Sequence, residues 1–126
     1  MKLSKLYFLL IAFAICVSTV SAQEKSVNGV LTTYFTVKND LAADNSSAAK
    51  THAAELAAAI KAVPADKIPA AQQAAWKKIQ VSTTGIGEAR DIDGQRDHFA
   101  ILSDNIIAVA KALKVNTVPV YQQYCP

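Results

Sequence analysis

Four segments of the sequence carry apolar side chains at alternating three- and four-residue spacing, which is the repeat of one face of an α-helix. They span residues 26–43, 47–63, 69–89 and 94–113. In chain order, the apolar positions are Val27, Val30, Leu31, Tyr34, Val37 and Leu41; Ala49, Ala53, Leu56, Ile60 and Val63; Trp76, Ile79, Thr83 and Ile86; and Phe99, Leu102, Ile106, Val109 and Leu113. Because short connectors make sequential helices antiparallel neighbours, we predict an all-α, up-down-up-down four-helix bundle.

Capping residues and prolines mark the ends of these helices. Asn45 or Ser46 can cap the second helix, because a short side-chain oxygen accepts a free backbone N–H. Pro64 ends this helix and begins the connector PADKIP. The last residue of the connector, Pro69, is favourable in the first turn of the third helix. Asp91 and Asp93 are available as caps before the fourth helix.

The second half of the third helix contains residues that are unfavourable in a helix. Its stretch VSTTGIG combines β-branched residues with Gly85 and Gly87, and both features oppose a helix. Packing against neighbouring helices can still hold such a segment helical. The sequence therefore leaves the conformation of residues 81–89 open.

The first 22 residues have the layout of a secretory signal peptide. A short basic start, MKLSK, precedes the apolar run LYFLLIAFAICV and the small-residue ending STVSA. We predict cleavage after Ala22 and export to the periplasm. The apolar run is too short to span a membrane comfortably, so we expect no stable membrane span after cleavage. Lipid attachment at Cys16 is the alternative, which the bulky Ile15 before it disfavours.

Removal of the signal peptide changes the charge of the chain. Lys2 and Lys5 leave with it, so the formal charge falls from +3 to +1 (13 − 2 = 11 basic against 10 acidic residues). With so small a net charge, the mature chain has no extended positive potential that would attract nucleic acid or anionic lipid. We assign residues 23–117 to the helical domain and 118–126 to a separate tail.

The tail, VPVYQQYCP, is the part of the sequence that does not fit a helix. Its first valine precedes a proline, and β-branched residues dominate the preceding stretch. We predict that the tail lies extended across the bundle. Its expected anchors are Val118, Val120, Tyr121 and Tyr124.

Cys125 is the single cysteine that remains after loss of Cys16, so the mature chain can form no intramolecular disulfide. An odd cysteine in an exported protein suggests a metal ligand, an intermolecular partner or a reactive thiol. As a thiolate it would bind a soft metal such as copper(I). The alternative is a surface cysteine without a role.

Two histidines are further candidates for chemistry. His98 lies on the flank of the fourth helix and is a candidate metal ligand or proton carrier; the alternative is a half-buried histidine bonded to Asp97 or Asp93. His52 lies one residue off the stripe of the second helix, so we expect it to be exposed. His52 and Glu55 have the i, i+3 spacing of a helical metal pair, but no second copy of the pattern exists.

Three stretches read together resemble the family called domain of unknown function 3347, an exported helical domain common in Bacteroidetes-type bacteria. They are the alanine-rich second helix, QRDHFAILSDNIIAVAKAL and PVYQQYCP. The QR-x-x-F-x-x-LS pattern of this family is matched by Gln95, Arg96, Phe99, Leu102 and Ser103. Its Y-C-P pattern is matched by Tyr124, Cys125 and Pro126.

The resemblance implies a helical bundle that carries a C-terminal module, with Cys and Met as soft-metal ligands. The same domain occurs fused to periplasmic adaptor subunits of heavy-metal efflux pumps. In the family, a methionine and a later cysteine follow the Cys-Pro pair. Neither follows Pro126, so this copy looks C-terminally truncated: either the sequence is a partial record or this copy has lost its module.

These features together predict a periplasmic accessory protein that binds or hands over copper(I) or another soft metal in heavy-metal homeostasis. Cys125 would be the principal ligand and His98 the second. The alternative is a metal-independent helical module that docks on an envelope protein or an efflux adaptor. We predict no catalytic residues and no enzymatic activity, because the sequence has no GxSxG, CxxC, HExxH or phosphate-binding glycine loop.

Overall fold

The computed structural model describes residues 27–115 and 119–122 of the 126-residue chain. Within them, α1 covers residues 27–42, and three further helices follow: α2 (Ser46–Ala62), α3 (Gln73–Glu88) and α4 (Ile92–Leu113). The described residues contain no strand. The first 22 residues lie outside them, so the signal peptide, its cleavage and the domain boundaries remain predictions.

Each helix packs against its neighbours in sequence, and α1 also packs against α4. α3 lies against both α2 and α4, whereas α2 and α4 make few direct contacts. α1 meets α2 through His52 and Asp40, and it meets α4 through the stacked rings of Tyr34 and Phe99. This arrangement confirms the prediction of an all-α, up-down-up-down four-helix bundle.

The predicted apolar stripes form one continuous core. Every apolar position predicted in the first three helices is buried, as are Leu102, Ile106 and Val109 of α4, while Phe99 and Leu113 pack at the edge. Ile68 is a core residue that the spacing did not predict, since it lies in the connector after α2 and is only 3% exposed. Burying one such side chain contributes about 1.5–3 kcal/mol.

Two aspartate or asparagine caps set the helix starts at one end of the bundle. The side chain of Asn45, not that of Ser46, accepts the backbone N–H of Ala48 at 3.1 Å. Asp91 accepts the backbone N–H of Gly94 at 2.8 Å. Because of this cap, α4 begins at Ile92, two residues before the predicted start.

The connector between α2 and α3 is built from two 3₁₀ turns, Ala65–Lys67 and Ala70–Gln72, each of which follows a proline. Pro64 and Pro69 have extended ψ angles, so neither proline continues a helix. As a result, α3 begins at Gln73 and not near Pro69 as predicted.

The second half of α3 remains helical despite its β-branched residues and glycines. The helix continues to Glu88, with Thr83 and Ile86 at 1% and 0% exposure in the core. The Thr83 hydroxyl donates to the Ile79 carbonyl at 2.8 Å, which satisfies a polar group that would otherwise be buried unpaired. Packing therefore decides the conformation of residues 81–88.

The described part of the tail, residues 119–122, has neither helix nor strand and is exposed throughout. Tyr121 is 81% exposed and Val120 is 40% exposed, so the prediction that these two residues anchor the tail is wrong. The four helices already cover their apolar stripes with one another, and little apolar surface is left for a fifth segment. Val118 and Tyr124 lie outside the described residues.

Candidate functional site

The QR-x-x-F-x-x-LS residues of α4 face α1 and the α1–α2 turn. Gln95 is fully buried, and its Nε2 donates to the Ser46 carbonyl at 3.0 Å. The Arg96 guanidinium donates to the Leu41 carbonyl at 2.8 Å and to the Asp44 carboxylate at 2.5 Å. These two side chains therefore fasten the start of α4 to the last turn of α1 and the first of α2.

The remaining pattern residues continue the same contact along α4. The ring of Phe99 stacks on Tyr34 with centroids 5.2 Å apart and planes 8° from parallel. Ser103 Oγ is hydrogen-bonded to the Tyr34 hydroxyl at 2.9 Å, and Leu102 is fully buried. Burial raises the pKa of Tyr34, the bond to Ser103 opposes this, and nearby Asp104 adds to it.

We call Gln95, Arg96, Phe99, Leu102 and Ser103 the α4 clamp. All five residues make or border contacts that hold α1 and the α1–α2 turn on α4. One polar atom of the α4 clamp, Gln95 Oε1, is buried without a hydrogen-bond partner among the described residues. The pattern that carries the family resemblance thus accounts for a packing interface in this bundle.

His98, the predicted second metal ligand, is half-buried against the backbone of α3. A Cβ added at Gly85 would lie 2.6 Å from its Cγ and would also overlap the ring nitrogen Nδ1. The interpretation that His98 is bonded to Asp97 or Asp93 is wrong, because neither carboxylate makes that hydrogen bond. Its imidazole has no hydrogen bond within the part of the chain that the structure describes.

Cys125, the predicted principal ligand, lies outside the described residues, so the structure does not bring it together with His98. Within residues 27–115 and 119–122, no three His, Cys, Asp or Glu side chains are grouped so as to hold a metal ion. The described residues alone therefore do not form a metal centre. The assignment of Cys125 and His98 as ligands remains a prediction.

His52 is not freely exposed as expected, since its side chain is 31% exposed. Its Nδ1 is 2.5 Å from Asp40 Oδ2 of α1, and this hydrogen bond raises the pKa of His52; burial opposes the shift and the charges of Asp40 and Glu55 support it. Asp40 lies twelve residues before His52, on the other side of the α1–α2 turn. His52 thus serves the α1–α2 contact.

A groove among the described residues lies at the opposite end of the bundle. The last turn of α2, the connector after it and the first two turns of α3 enclose a groove with a volume of about 690 Å³ that is open to solvent. Trp76, only 5% exposed, forms its floor with Ile60 and Val63. We call this surface the Trp76 groove.

One wall of the Trp76 groove is fixed by a side chain of α3. Gln73 Nε2 donates to the Ala65 carbonyl at 3.1 Å and to the Ile68 carbonyl at 2.7 Å, which ties the connector to the start of α3. Two exposed lysines, Lys61 and Lys77, line the groove. This surface was not predicted from the sequence; the signal available was a connector with a proline at each end.

Among the described residues, none of the helices combines the length and the apolar character that crossing a bilayer requires.

Comparison with known proteins identifies a family but no described activity. No curated protein and no solved structure matches the chain significantly. A family model described as "Protein of unknown function (DUF3347)" matches residues 30–117, which include α2, α3, α4 and the whole α4 clamp. Since this match covers 88 of the 126 residues (117 − 30 + 1 = 88), the chain belongs to the DUF3347 family.

Proposed function

We propose that this domain is a non-catalytic binding module of the bacterial envelope that docks on a partner protein through the Trp76 groove. The volume of the groove is the observation that carries the proposal. It falls in the range of about 300–1,000 Å³ that is usual for ligand pockets, so the groove has room for side chains of a bound segment. The predicted signal peptide supports a location outside the cytoplasm, and the partner would be an envelope protein such as an efflux adaptor.

The contrast with the α4 clamp favours the groove as the binding surface. The side chains of the α4 clamp are engaged with α1 and the α1–α2 turn, so they offer little to a partner. The Trp76 groove instead presents apolar side chains and polar side chains to solvent on the same surface. In such a combination, the apolar side chains bury surface of a bound protein segment and the polar side chains orient it.

The test uses one blocking substitution and one matched control. Ala74 lines the groove, whereas Ala100 is an exposed alanine on α4 away from it. We expect Ala74→Tyr to abolish cross-linking of the tagged mature protein to its envelope partner in cells, and Ala100→Tyr to leave it unchanged. Equal cross-linking by the two variants, at equal protein levels, would rule out docking through the groove.

Soft-metal binding is the second candidate function, in which Cys125 supplies a thiolate and His98 an imidazole to copper(I) or a similar ion. The absence of any hydrogen bond to the His98 ring within the described residues supports it, since the ring nitrogens are not engaged there. His98 is 15 residues before Leu113, about 22 Å along α4 at 1.5 Å per residue. The 12 residues 114–125 can span about 40 Å when extended, so covalent length permits the two side chains to meet.

Titration of the reduced mature protein with copper(I) tests this candidate. We expect uptake of one equivalent by the parent, loss of tight uptake by Cys125→Ser and weakened uptake by His98→Gln. His52→Gln is the control, because its ring is already bonded to Asp40. A Cys125→Ser protein that binds copper(I) as tightly as the parent would exclude the assignment.

A further inference from the structure

We infer that the Trp76 groove recognises an acidic segment of the partner protein, one that carries an apolar side chain between carboxylates. The inference rests on the proposed docking role of the groove and adds the chemistry of its ligand. Its basis is the combination of an apolar lining with two lysines that form no ion pair within residues 27–115 and 119–122.

The charge of the groove is positive without compensation from its own lining. Lys61 and Lys77 are two of the ten lining residues, and none of the ten is acidic. Neither lysine forms an ion pair within the described residues, and the aspartate of the adjoining connector, Asp66, is 3.9 Å from Lys67. Two ammonium groups at one concave surface attract a carboxylate ligand.

The helix dipoles at the groove do not change this conclusion. α2 ends there and contributes the partial negative charge of its C-terminus, whereas α3 begins there and contributes a partial positive charge. These two partial charges oppose each other over the same surface. The lysine side chains therefore decide the sign of the potential.

The apolar part of the lining sets the second requirement on the ligand. Trp76 and Val63 are each 5% exposed and Ile60 is 2% exposed, so these side chains are mostly buried. The apolar residues of the lining that are exposed are Pro64, Ala65 and Ala74. A ligand that fills the groove must bring an apolar side chain to these three residues while its carboxylates meet the lysines. A partner that is acidic alone would leave them in contact with water.

The open shape favours a polypeptide segment as the occupant. Sites for small molecules usually bury about 70–90% of their ligand, whereas this groove is open to solvent. The Gln73 hydrogen bonds to Ala65 and Ile68 hold the connector wall in place before binding. A preformed wall lowers the entropic cost of docking.

The test measures binding of three capped model peptides to the mature protein by NMR. The first has a phenylalanine flanked on each side by two glutamates, the second replaces the glutamates by glutamines, and the third replaces the phenylalanine by glycine. We expect the acidic phenylalanine peptide to shift the resonances of Lys61, Trp76 and Lys77 and to bind most tightly. Each lysine-to-glutamine substitution should weaken it about 1.5- to 5-fold, the range for exposed ion pairs.

Matched lysines outside the groove provide the control. Lys50 and Lys111 are exposed on α2 and α4, so Lys50→Gln and Lys111→Gln should leave the affinity unchanged. Equal binding of the glutamine peptide, or no shift of the groove resonances by the acidic peptide at millimolar concentration, would overturn the inference.

The failures of the two proposals can be told apart. If Ala74→Tyr abolishes partner cross-linking but the lysine variants and the peptides show no preference for acidic residues, docking stands and the ligand chemistry is wrong. If Ala74→Tyr has no effect on the partner, the docking proposal itself is wrong. A dimer of the mature protein that Ala74→Tyr disrupts would identify a second copy as the occupant and would also overturn the acidic segment.

Discussion

At one end of the bundle, Gln95 and Arg96 bind the backbone of the α1–α2 turn directly, and short capped turns join the helices. At the other end, the last turn of α2, the connector after it and the start of α3 enclose the Trp76 groove. We call these the clamp end and the groove end. The difference shows how one small bundle separates the contacts that fix its helix order from the surface left free for a partner.

Backbone hydrogen bonding explains why the two ends differ. Buried backbone groups at a helix connection need partners. At the clamp end, side chains of α4 supply them to the Leu41 and Ser46 carbonyls. At the groove end, the 3₁₀ turns and Gln73 supply them locally, so no other helix has to cover the connector. The groove is a consequence of this local arrangement.

The strongest test of the comparison removes one glutamine from each end. Gln95→Ala should lower the free energy of unfolding by about 2–3 kcal/mol, because it leaves a cavity and removes the bond to Ser46. Gln80→Ala, at an exposed position of the groove, should change it by less than about 0.5 kcal/mol. Urea unfolding of both variants gives the two values, and equal losses would contradict the distinction between the ends.

The contact between His98 and Gly85 near the clamp end is tested by a pair of glycines in α3. Gly85→Ala should cost about 1–2 kcal/mol, because the new methyl group overlaps a rigid ring. Gly87→Ala meets nothing within 4 Å and should stabilise the protein by about 0.5–1 kcal/mol through helix propensity.

Thermal unfolding measured by circular dichroism distinguishes the two variants. Adding His98→Ala to the Gly85→Ala protein should recover part of the loss. If Gly85→Ala is as stabilising as Gly87→Ala, the ring does not lie on the α3 backbone.

A smaller effect is expected where α4 ends. Lys114 caps this helix in the left-handed conformation with φ 52°, which glycine adopts without a steric penalty. Lys114→Gly should therefore stabilise the domain by about 0.5–1 kcal/mol. Lys111→Gly, inside the last turn, should destabilise it by about 1 kcal/mol in the same urea assay. A loss of stability in Lys114→Gly would contradict the cap geometry.

The smallest effect concerns pH and the contact of α1 with α2. Because Asp40 raises the folded-state pKa of His52 above its ordinary value of 6.5, the protonated histidine stabilises the fold in acid. This contribution is fully present below 6.5 and is lost as pH rises through the folded pKa. His52→Gln should thus destabilise the protein more at about pH 5 than at about pH 9.

Unfolding of the parent and the variant at the two pH values measures this dependence. Asp40→Asn should remove the same pH dependence, since it removes the partner that causes the shift. If His52→Gln lowers the free energy of unfolding equally at both pH values, the ion pair does not contribute to the stability of the fold.

The sequence predicted the core because burial follows helical periodicity, which needs no knowledge of partners. It missed Ile68, which lies in a connector where no period applies. It also found the QR-x-x-F-x-x-LS pattern without its role. The partners of Gln95 and Arg96 are backbone carbonyls, which have no signature in the sequence.

The candidate site was beyond sequence reasoning for a geometric reason. Trp76 was predicted as a core residue, and its low exposure confirms that. The concavity beside it depends on the path of the connector, which is set by the two 3₁₀ turns. The prediction that the tail is anchored was wrong, because apolar side chains in an extended segment do not show whether the bundle has a surface to which they can bind.

The position of Trp76 has a practical consequence. It is the single tryptophan of the chain, and it lies between the groove and a small core cavity lined by Val27 and Val109. Its indole fluorescence therefore reports on one pole of the molecule, while Tyr34 emits from another region. Local opening around the indole would shift that emission before the far-ultraviolet helical signal changes, so sub-global fraying can be separated optically from complete unfolding.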